Sequence, residues 1–277
     1  MNVSAHIVFF KQEMQRRGFS YMTIKNYANC LEVFFNKSKS DHPKNIHESE
    51  IREYLNGFTE PNTQRSIHSA IKKYFDVCLN QKDKFRYIPY CKKSNKLPIV
   101  LSQGEVQKMF SVCENLKHKV ILALLYSTGL RVSELINLKW QHIDRERMII
   151  NILQAKGKKD RQVMLSPKLL PLLEEYCIKY QLHKTTYVLE GQFKDQYSAR
   201  SVGEVIKQLA TKAGINKRVY THLMRHNAFT HMLENGTDIN LIQKLAGHSN
   251  VKTTAIYTHI SHNVISKIQS PLNSILL

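Results

Sequence analysis

The sequence predicts a mainly α-helical protein, with a four-helix N-terminal domain and a mostly α-helical second domain that contains a small antiparallel β-sheet. Three observations support this fold class. Apolar residues recur at helical spacing through most of the chain. Glycines and prolines divide these stretches into segments of helix length. Residues 148–165 differ, because β-branched runs flank a glycine-containing turn there, as in a β-hairpin.

Residues 1–84 are predicted to form the first domain. An apolar stripe followed by Gly18 predicts its first helix. Ser20 is placed as the N-cap of the second helix, which carries a wider apolar stripe. Two further helices are predicted at 49–58 and 61–79, and a proline opens the last of them.

The basic stretch 85–98 contains two prolines and no periodicity, which predicts an interdomain linker. The second domain then covers 99–277, and a capping box of Ser102 and Glu105 opens its first helix. Its helices are predicted at 102–113, 116–127, 131–139, 167–180, 199–213, 222–235, 238–247 and 250–257, and its hairpin strands at 148–153 and 161–165.

Charge and cysteine content restrict the class of protein. The 277 residues carry a formal charge of +19, and basic residues outnumber acidic ones in both 1–100 and 101–277. This suits a polyanion partner, although a generally basic protein has the same composition. Five scattered cysteines without CxxC spacing argue against a disulfide framework and a zinc site. Neither a membrane span nor a secretory signal is evident, so we expect a cytoplasmic protein.

The stretch Thr221–His259 gathers side chains suited to phosphodiester chemistry. His222 and Arg225 are three residues apart on one helix face, His248 follows a glycine, and Tyr257 comes nine residues later. The planar fork of arginine matches two phosphate oxygens, and histidine can act as a base. A tyrosine can attack phosphorus when a base or a positive field promotes its ionisation.

Upstream motifs add further side chains suited to phosphate chemistry, and one histidine pair has the spacing of a metal site. TGLRVSEL contributes Arg131, with Glu134 one turn later to orient the site or to close a helix contact. The KGKKDR turn contributes a lysine suited to proton donation. His222 and His226 have the spacing of an HExxH zinc motif, but Leu223 replaces its glutamate, which argues against a metalloprotease.

Five motifs occur in one order: TGLRVSEL, KGKKDR, HLMRH, LAGHS and TTAIYTH. Together they closely resemble the catalytic domain of the tyrosine recombinases, the phage-integrase and Xer-like family. The resemblance covers essentially the whole chain, since the first domain looks like the family's SAM-like, core-binding domain. Met224 stands where the family more often has leucine, and Asn227 replaces a small hydroxyl residue. Both departures are compatible with the chemistry.

The resemblance implies a role for each residue that moves a proton or forms a bond. Tyr257 would be the nucleophile, forming a 3′-phosphotyrosyl link and freeing a 5′ hydroxyl. Lys156 would protonate the leaving 5′ oxygen, with Lys158 and Lys159 as rival candidates because the turn is placed only to within a residue or two. His222 would assist proton transfer as the base.

The remaining implied roles concern phosphate and DNA binding. Arg131 and Arg225 would clamp the scissile phosphate, and His248 would hydrogen-bond in the same region. No metal ion or other cofactor is implied, because the phosphotyrosine retains the bond energy. Candidate DNA contacts, for which plain surface charge is an equal alternative, are Lys25, Arg65, Lys72, Lys73, Lys158 and Lys159.

The implied function is site-specific recombination of double-stranded DNA through a Holliday junction, by a homotetramer on a short inverted-repeat core site. Integration, excision, inversion and resolution remain open, as does a need for directionality or accessory proteins. The apolar tail 264–277 is expected to dock on a neighbouring subunit, and the protein is expected to associate with the nucleoid. Two alternatives are a type IB topoisomerase and a DNA-binding accessory protein without catalysis.

Overall fold

The structure is a computed structural model that describes residues 2–92, 99–155, 159–182, 186–193 and 195–247. It contains two compact units, Met1–Lys96 and Leu97–Leu277. None of the described helices is both long and apolar enough to cross a bilayer.

Four α-helices make up the described part of the first unit, as the sequence predicts. Local signals set their ends: Ser20 caps the second helix by accepting from the Thr23 backbone, and Gly18, with a φ of +73°, follows the first. The helices are α1 (Val3–Arg16), α2 (Tyr21–Lys37), α3 (Glu48–Asn56) and α4 (Pro61–Cys78), with 3₁₀ turns at Pro43–Asn45 and Lys82–Phe85.

An aromatic core holds this unit together, and the chain after α4 folds back onto it. The core includes Phe85 and Ile88, which are both 4% exposed. Arg52 donates to the Tyr87 carbonyl at 2.6 Å, and His68 Nε2 donates to the Ile88 carbonyl at 2.9 Å. The predicted linker, 85–98, therefore begins within a stretch that packs on the first unit, and its boundaries remain a prediction.

The second unit is mainly helical, with a three-stranded antiparallel sheet in the order β1-β2-β3. The predicted capping box of Ser102 and Glu105 is present. The helices are α5 (Gln103–Ser111), α6 (Leu116–Thr128), α7 (Val132–Ile136), α8 (Leu169–Lys179), α9 (Ala199–Lys212), α10 (Thr221–Glu234) and α11 (Ile239–Ala246). The strands are β1 (Ile143–Asp144), β2 (Ile149–Ala155) and β3 (Lys159–Met164).

Two local expectations were wrong in detail. The helix predicted at 131–139 ends at Ile136, because the next residues bond to another part of the chain: the Val188 backbone donates to the Leu138 carbonyl at 2.8 Å. The two-residue strand β1 was not predicted, since its pairing with β2 is a tertiary contact. The helix predicted at 250–257 lies outside the described residues.

Helix α10 packs against the buried helix α6. Its side chains also bond the backbone of Leu101, near the start of the second unit. Asn227, which is fully buried, accepts from the Leu101 backbone N–H at 3.1 Å. His231 Nε2 donates to the Leu101 carbonyl at 2.9 Å, so its Nδ1 accepts from the Tyr126 hydroxyl at 2.8 Å. Asn227 thus has a structural explanation, because a small hydroxyl residue would not reach the Leu101 backbone in the same way.

Candidate active site

A tight turn between α6 and α7 brings the TGLR motif against α10. Gly129 has a φ of +63°, in the left-handed region that favours glycine. A Cβ at this position would lie 2.6 Å from the ring of Phe229 on α10. The absence of a side chain therefore allows the backbone to approach α10 closely. Arg131 follows two residues later, directly before α7.

Arg225 is the most deeply buried charged group of the site. Its side chain is 1% exposed, and its guanidinium carbon lies 4.8 Å from the centre of the Phe229 ring. Nη1 donates to the Gly129 carbonyl and Nη2 to the Ala246 carbonyl, both at 2.5 Å. Arg225 therefore joins the α6–α7 turn to the C-terminal end of α11.

Arg131 reaches the same end of α11. Nη2 donates to the Ala246 carbonyl at 3.3 Å, and Nη1 donates to Glu134 at 2.7 Å. Its side chain is 22% exposed, in contrast to that of Arg225. Two guanidinium groups thus converge on one carbonyl oxygen, with Arg131 the more accessible from solvent.

Glu134 is surrounded by arginines. Its carboxylate accepts two parallel hydrogen bonds from Arg161, both at 2.7 Å, and one from the Arg131 backbone N–H at 2.8 Å. Arg225 lies 4.0 Å away. Burial alone would raise the pKa of Glu134, but the hydrogen bonds and positive charge of Arg161 and Arg131 outweigh it and lower the pKa to about 2. Glu134 is therefore ionised at physiological pH.

His222 lies in the first turn of α10, and its residue is exposed. Its ring is 4.6 Å from that of His226, in an edge-to-face arrangement. Partial desolvation lowers the pKa of His222, and the charges of Arg225 and Arg131 act in the same direction. Desolvation, His222 and Arg225 lower the pKa of His226 to about 4. Both imidazoles are therefore neutral near pH 7, and His222 can accept a proton.

The arrangement favours an anion. Three guanidinium groups surround one carboxylate, which leaves an excess of two positive charges in a partly buried site. A phosphodiester carries a single negative charge and offers two oxygens that match the arginine fork. Within the described residues there is no cluster of three or more His, Cys, Asp or Glu side chains that could hold a metal ion.

Comparisons with known proteins identify the family. Residues 100–263 match the phage integrase family, and residues 9–83 match the phage integrase N-terminal SAM-like domain. The chain is 35% identical over 257 residues to tyrosine recombinase XerA of Pyrococcus horikoshii, covering 91% of this chain and 88% of that one. The chain belongs to the phage integrase family of tyrosine recombinases.

Solved structures agree with the fold of this tyrosine recombinase. A crystal structure of XerA recombinase matches with a TM-score of 0.57 and 27% identity, covering 96% of each chain. A lambda integrase tetramer bound to a Holliday junction matches with a TM-score of 0.77 and 16% identity, covering 92% of this chain and 76% of that one. The predicted fold class, a helical N-terminal domain and a helical second domain with a small sheet, is confirmed.

The structure brings together only part of the predicted catalytic set. Arg131 and Arg225 meet at the end of α11, and His222 is close enough to both for their charges to lower its pKa. Lys156, His248 and Tyr257 lie outside the described residues, as does the rival Lys158, and only the backbone of Lys159 is described, at the start of β3. The catalytic roles of all these residues remain predictions.

The candidate DNA contacts of the first unit lie on two helices. Lys25 is exposed on α2, whereas Lys72 and Lys73 are half-buried on α4. Lys73 lies over the Phe19 ring, 5.6 Å from its centre. Arg65 donates to the Cys91 carbonyl at 2.6 Å and stacks on Tyr90, so it already has a structural role. DNA contact by any of the four remains a prediction.

Arg161 is the residue that the sequence interpretation overlooked. It is the last residue of KGKKDR, a motif considered only for its lysines. A signal was available: Arg161 lies two and four residues before Val163 and Leu165, which are buried, so alternation along a strand places its side chain on the inner face. An arginine on that face needs a buried partner, and Glu134 provides it.

Proposed function

We propose that this tyrosine recombinase cleaves and rejoins DNA at specific sites, through a 3′-phosphotyrosyl intermediate and a Holliday junction. The convergence of Arg131 and Arg225 on one carbonyl, beside a neutral His222, is the observation that supports this proposal most directly. Two guanidinium groups at one point can bind both non-bridging oxygens of a single phosphate. Such donors stabilise the charge that develops on these oxygens in the transition state.

The chemical steps use only groups of this chain and the DNA. The Tyr257 hydroxyl loses its proton to His222 and attacks phosphorus, and the bond from phosphorus to the 5′ oxygen breaks. Lys156 gives its proton to that oxygen, which leaves a free 5′ hydroxyl. Attack by a 5′ hydroxyl on the phosphotyrosine reverses these steps and releases Tyr257. His248 hydrogen-bonds the phosphate throughout, and the exchange needs no nucleotide cofactor because one phosphoester replaces another.

Strand exchange further requires that four active sites work in pairs. A homotetramer on a short inverted-repeat core site satisfies this requirement, and solved relatives support it: lambda integrase has been crystallised as a tetramer on a Holliday junction. The tail 264–277 would dock on the neighbouring subunit and couple the sites. Accessory or directionality proteins would decide among integration, excision, inversion and resolution. The protein would then act on the nucleoid in the cytoplasm.

A covalent adduct is the direct test of this function. The wild-type protein is first used to select inverted-repeat sites from a random-sequence duplex library. These sites are then prepared as suicide duplexes, with a nick next to the cleavage position so that a short fragment diffuses away. We expect a protein–DNA adduct that survives denaturation and is removed by protease. If the protein binds the selected DNA but forms no covalent adduct with it, the proposal is contradicted.

Intact sites separate strand exchange from simple relaxation. With two such sites on one supercoiled plasmid, we expect recombinant products as well as changes in topology. Relaxation without recombinants would indicate a type IB topoisomerase. Binding with neither outcome would indicate an accessory protein without catalysis.

The cleavage rate is expected to fall at acid pH through protonation of His222. Because its pKa lies below the usual value of about 6.5, the neutral base persists to lower pH than in a free histidine. The single-turnover rate of adduct formation should therefore stay level near neutrality and decline only as the pH drops through this lowered pKa. His222→Asn should be slower by about 10²-fold or more and should lack the decline.

His226→Gln provides the control for the pH experiment. His226 is a neighbouring histidine with a pKa of about 4, and it has no role in the proposed chemistry. The variant should keep the acid decline of the wild type. Circular dichroism at each pH excludes unfolding as its cause. An unchanged decline in His222→Asn would show that another group is the base.

A further inference from the structure

We propose that Arg161 is a positioning residue for the phosphate clamp: it neutralises Glu134 and holds the end of α11, so that Arg131 and Arg225 remain directed at the scissile phosphate. This inference rests on the proposed function and adds to it a residue outside the six that the motifs imply. Arg161 itself would not touch the DNA.

Three hydrogen bonds fix the Arg161 side chain, which is only 8% exposed. Nη1 and Nη2 donate to the two carboxylate oxygens of Glu134, each at 2.7 Å. Nε donates to the Leu245 carbonyl at 2.8 Å. The guanidinium thus uses its full fork on one carboxylate and its remaining edge on α11. A lysine could supply the charge but not this geometry.

The charge of Arg161 controls what Glu134 does to its other neighbours. The Arg161–Glu134 pair is electrically neutral, so the cluster keeps an excess of two positive charges for an anionic ligand, although Arg131 also bonds Glu134. Without Arg161, the buried carboxylate would need another counter-ion, because an unpaired buried charge is costly. Arg131, at 2.7 Å, and Arg225, at 4.0 Å, are the guanidinium groups within reach. Glu134 would then compete with the phosphate for both.

Arg161 also determines where the chain leaves α11. The last carbonyls of a helix lack partners within it, and here Leu245 and Ala246 accept from arginines instead. Gly247 ends the helix with a φ of +60°, and a Cβ there would lie 3.2 Å from Arg161 Cδ. His248 is the next residue in the sequence, so the chain toward the nucleophile starts from a point that Arg161 holds.

The test separates binding from cleavage. Arg161→Gln and Arg161→Lys are compared with the wild type on the selected, nicked duplex described above. Both variants should bind this DNA with a dissociation constant within about threefold of wild type, since other basic residues supply the phosphate contacts. At saturating protein, adduct formation should be slower by about 100-fold for Arg161→Gln and somewhat less for Arg161→Lys.

The double variant Glu134→Gln/Arg161→Gln tests the charge argument. If loss of Arg161 acts by leaving the charge of Glu134 uncompensated, removal of that charge should help. The double variant should then cleave at least about tenfold faster than Arg161→Gln. A purely structural role would not produce this recovery. Arg145→Ala, which breaks an exposed ion pair to Glu174 in the same unit, is the matched control and should cleave like the wild type.

The outcomes are distinguishable from failure of the proposed function. If the wild type forms no adduct, the proposed function itself fails. If the wild type forms the adduct and Arg161→Gln cleaves at the same rate, only the role of Arg161 is overturned. A slow Arg161→Gln that Glu134→Gln does not rescue overturns the charge argument. Should Arg161→Gln fail to fold, the same comparison is made with Arg161→Met and Glu134→Gln/Arg161→Met, which also remove the positive charge.

Discussion

Tyr257→Phe is expected to abolish the covalent protein–DNA adduct while DNA binding is retained. The substitution removes only the hydroxyl oxygen that would attack phosphorus, and loss of a nucleophile typically reduces the rate by about 10⁴-fold or more. The measurement is adduct formation on nicked suicide duplexes, with binding followed separately by fluorescence anisotropy. The variant should also trap assembled, uncleaved complexes when it is given intact sites.

Tyr180→Phe is the matched control for the nucleophile. Tyr180 is an exposed tyrosine of the same unit, 38% accessible, and it packs beside Tyr176 at the end of α8. Its variant should form the adduct at the wild-type rate. Adduct that persists in Tyr257→Phe would exclude Tyr257 as the nucleophile. Mapping of the labelled peptide in that adduct would then locate the residue that attacks.

Arg225→Ala is expected to lose both catalysis and stability, whereas Arg131→Ala should lose mainly catalysis. Removal of Arg225 leaves the buried carbonyl of Gly129 without this donor and that of Ala246 with only the long bond from Arg131, and an unsatisfied buried group of this kind costs about 1–3 kcal/mol. We therefore expect the free energy of unfolding to fall by about 3–5 kcal/mol. Arg131 is more exposed, its bond to Ala246 is long, at 3.3 Å, and Glu134 would keep both bonds from Arg161, so loss of Arg131 should cost about 1 kcal/mol.

Denaturant unfolding and single-turnover cleavage check this contrast. Both alanine variants should cleave at least about 100-fold more slowly, because each removes a donor to the phosphate. Arg225→Lys keeps the charge but cannot join two carbonyls in the same way. Its free energy of unfolding should lie between those of the wild type and Arg225→Ala, and its cleavage should be as slow as that of Arg225→Ala. Arg145→Ala, in its exposed ion pair with Glu174, should change the free energy of unfolding by less than about 0.5 kcal/mol. Equal destabilisation by Arg131→Ala and Arg225→Ala would contradict the difference in burial.

Helix ends were the most predictable part of the fold, since neighbouring residues set them. Ser20 and Ser102 both cap helices as expected, and Gly247 ends α11 in the left-handed conformation. The early end of α7 and the presence of β1 were not predictable in the same way. Both depend on backbone bonds to residues far along the chain, such as the bond from Val188 to Leu138.

The candidate site shows the same difference between what local sequence predicts and what tertiary contacts decide. Its chemistry was expected from motif order, because arginine, histidine and tyrosine at such spacings suit phosphoryl transfer and resemble one family. The structure directs Arg131 and Arg225 to one carbonyl and places His222 within reach of their charges, while the catalytic roles of all three remain predictions. It adds Arg161, whose contribution depends on a buried carboxylate 27 residues away in the sequence.

The sequence by itself determined the helices, the family and the residue types available for chemistry, because capping, periodicity and motif order are local properties of the chain. Only the tertiary structure decided how the charges are paired. Arg131, Arg161 and Arg225 carry the same group, yet one is partly exposed, one neutralises Glu134 and one is buried between two carbonyls. Burial and partner geometry set these differences, and both arise from contacts between elements that are distant in sequence.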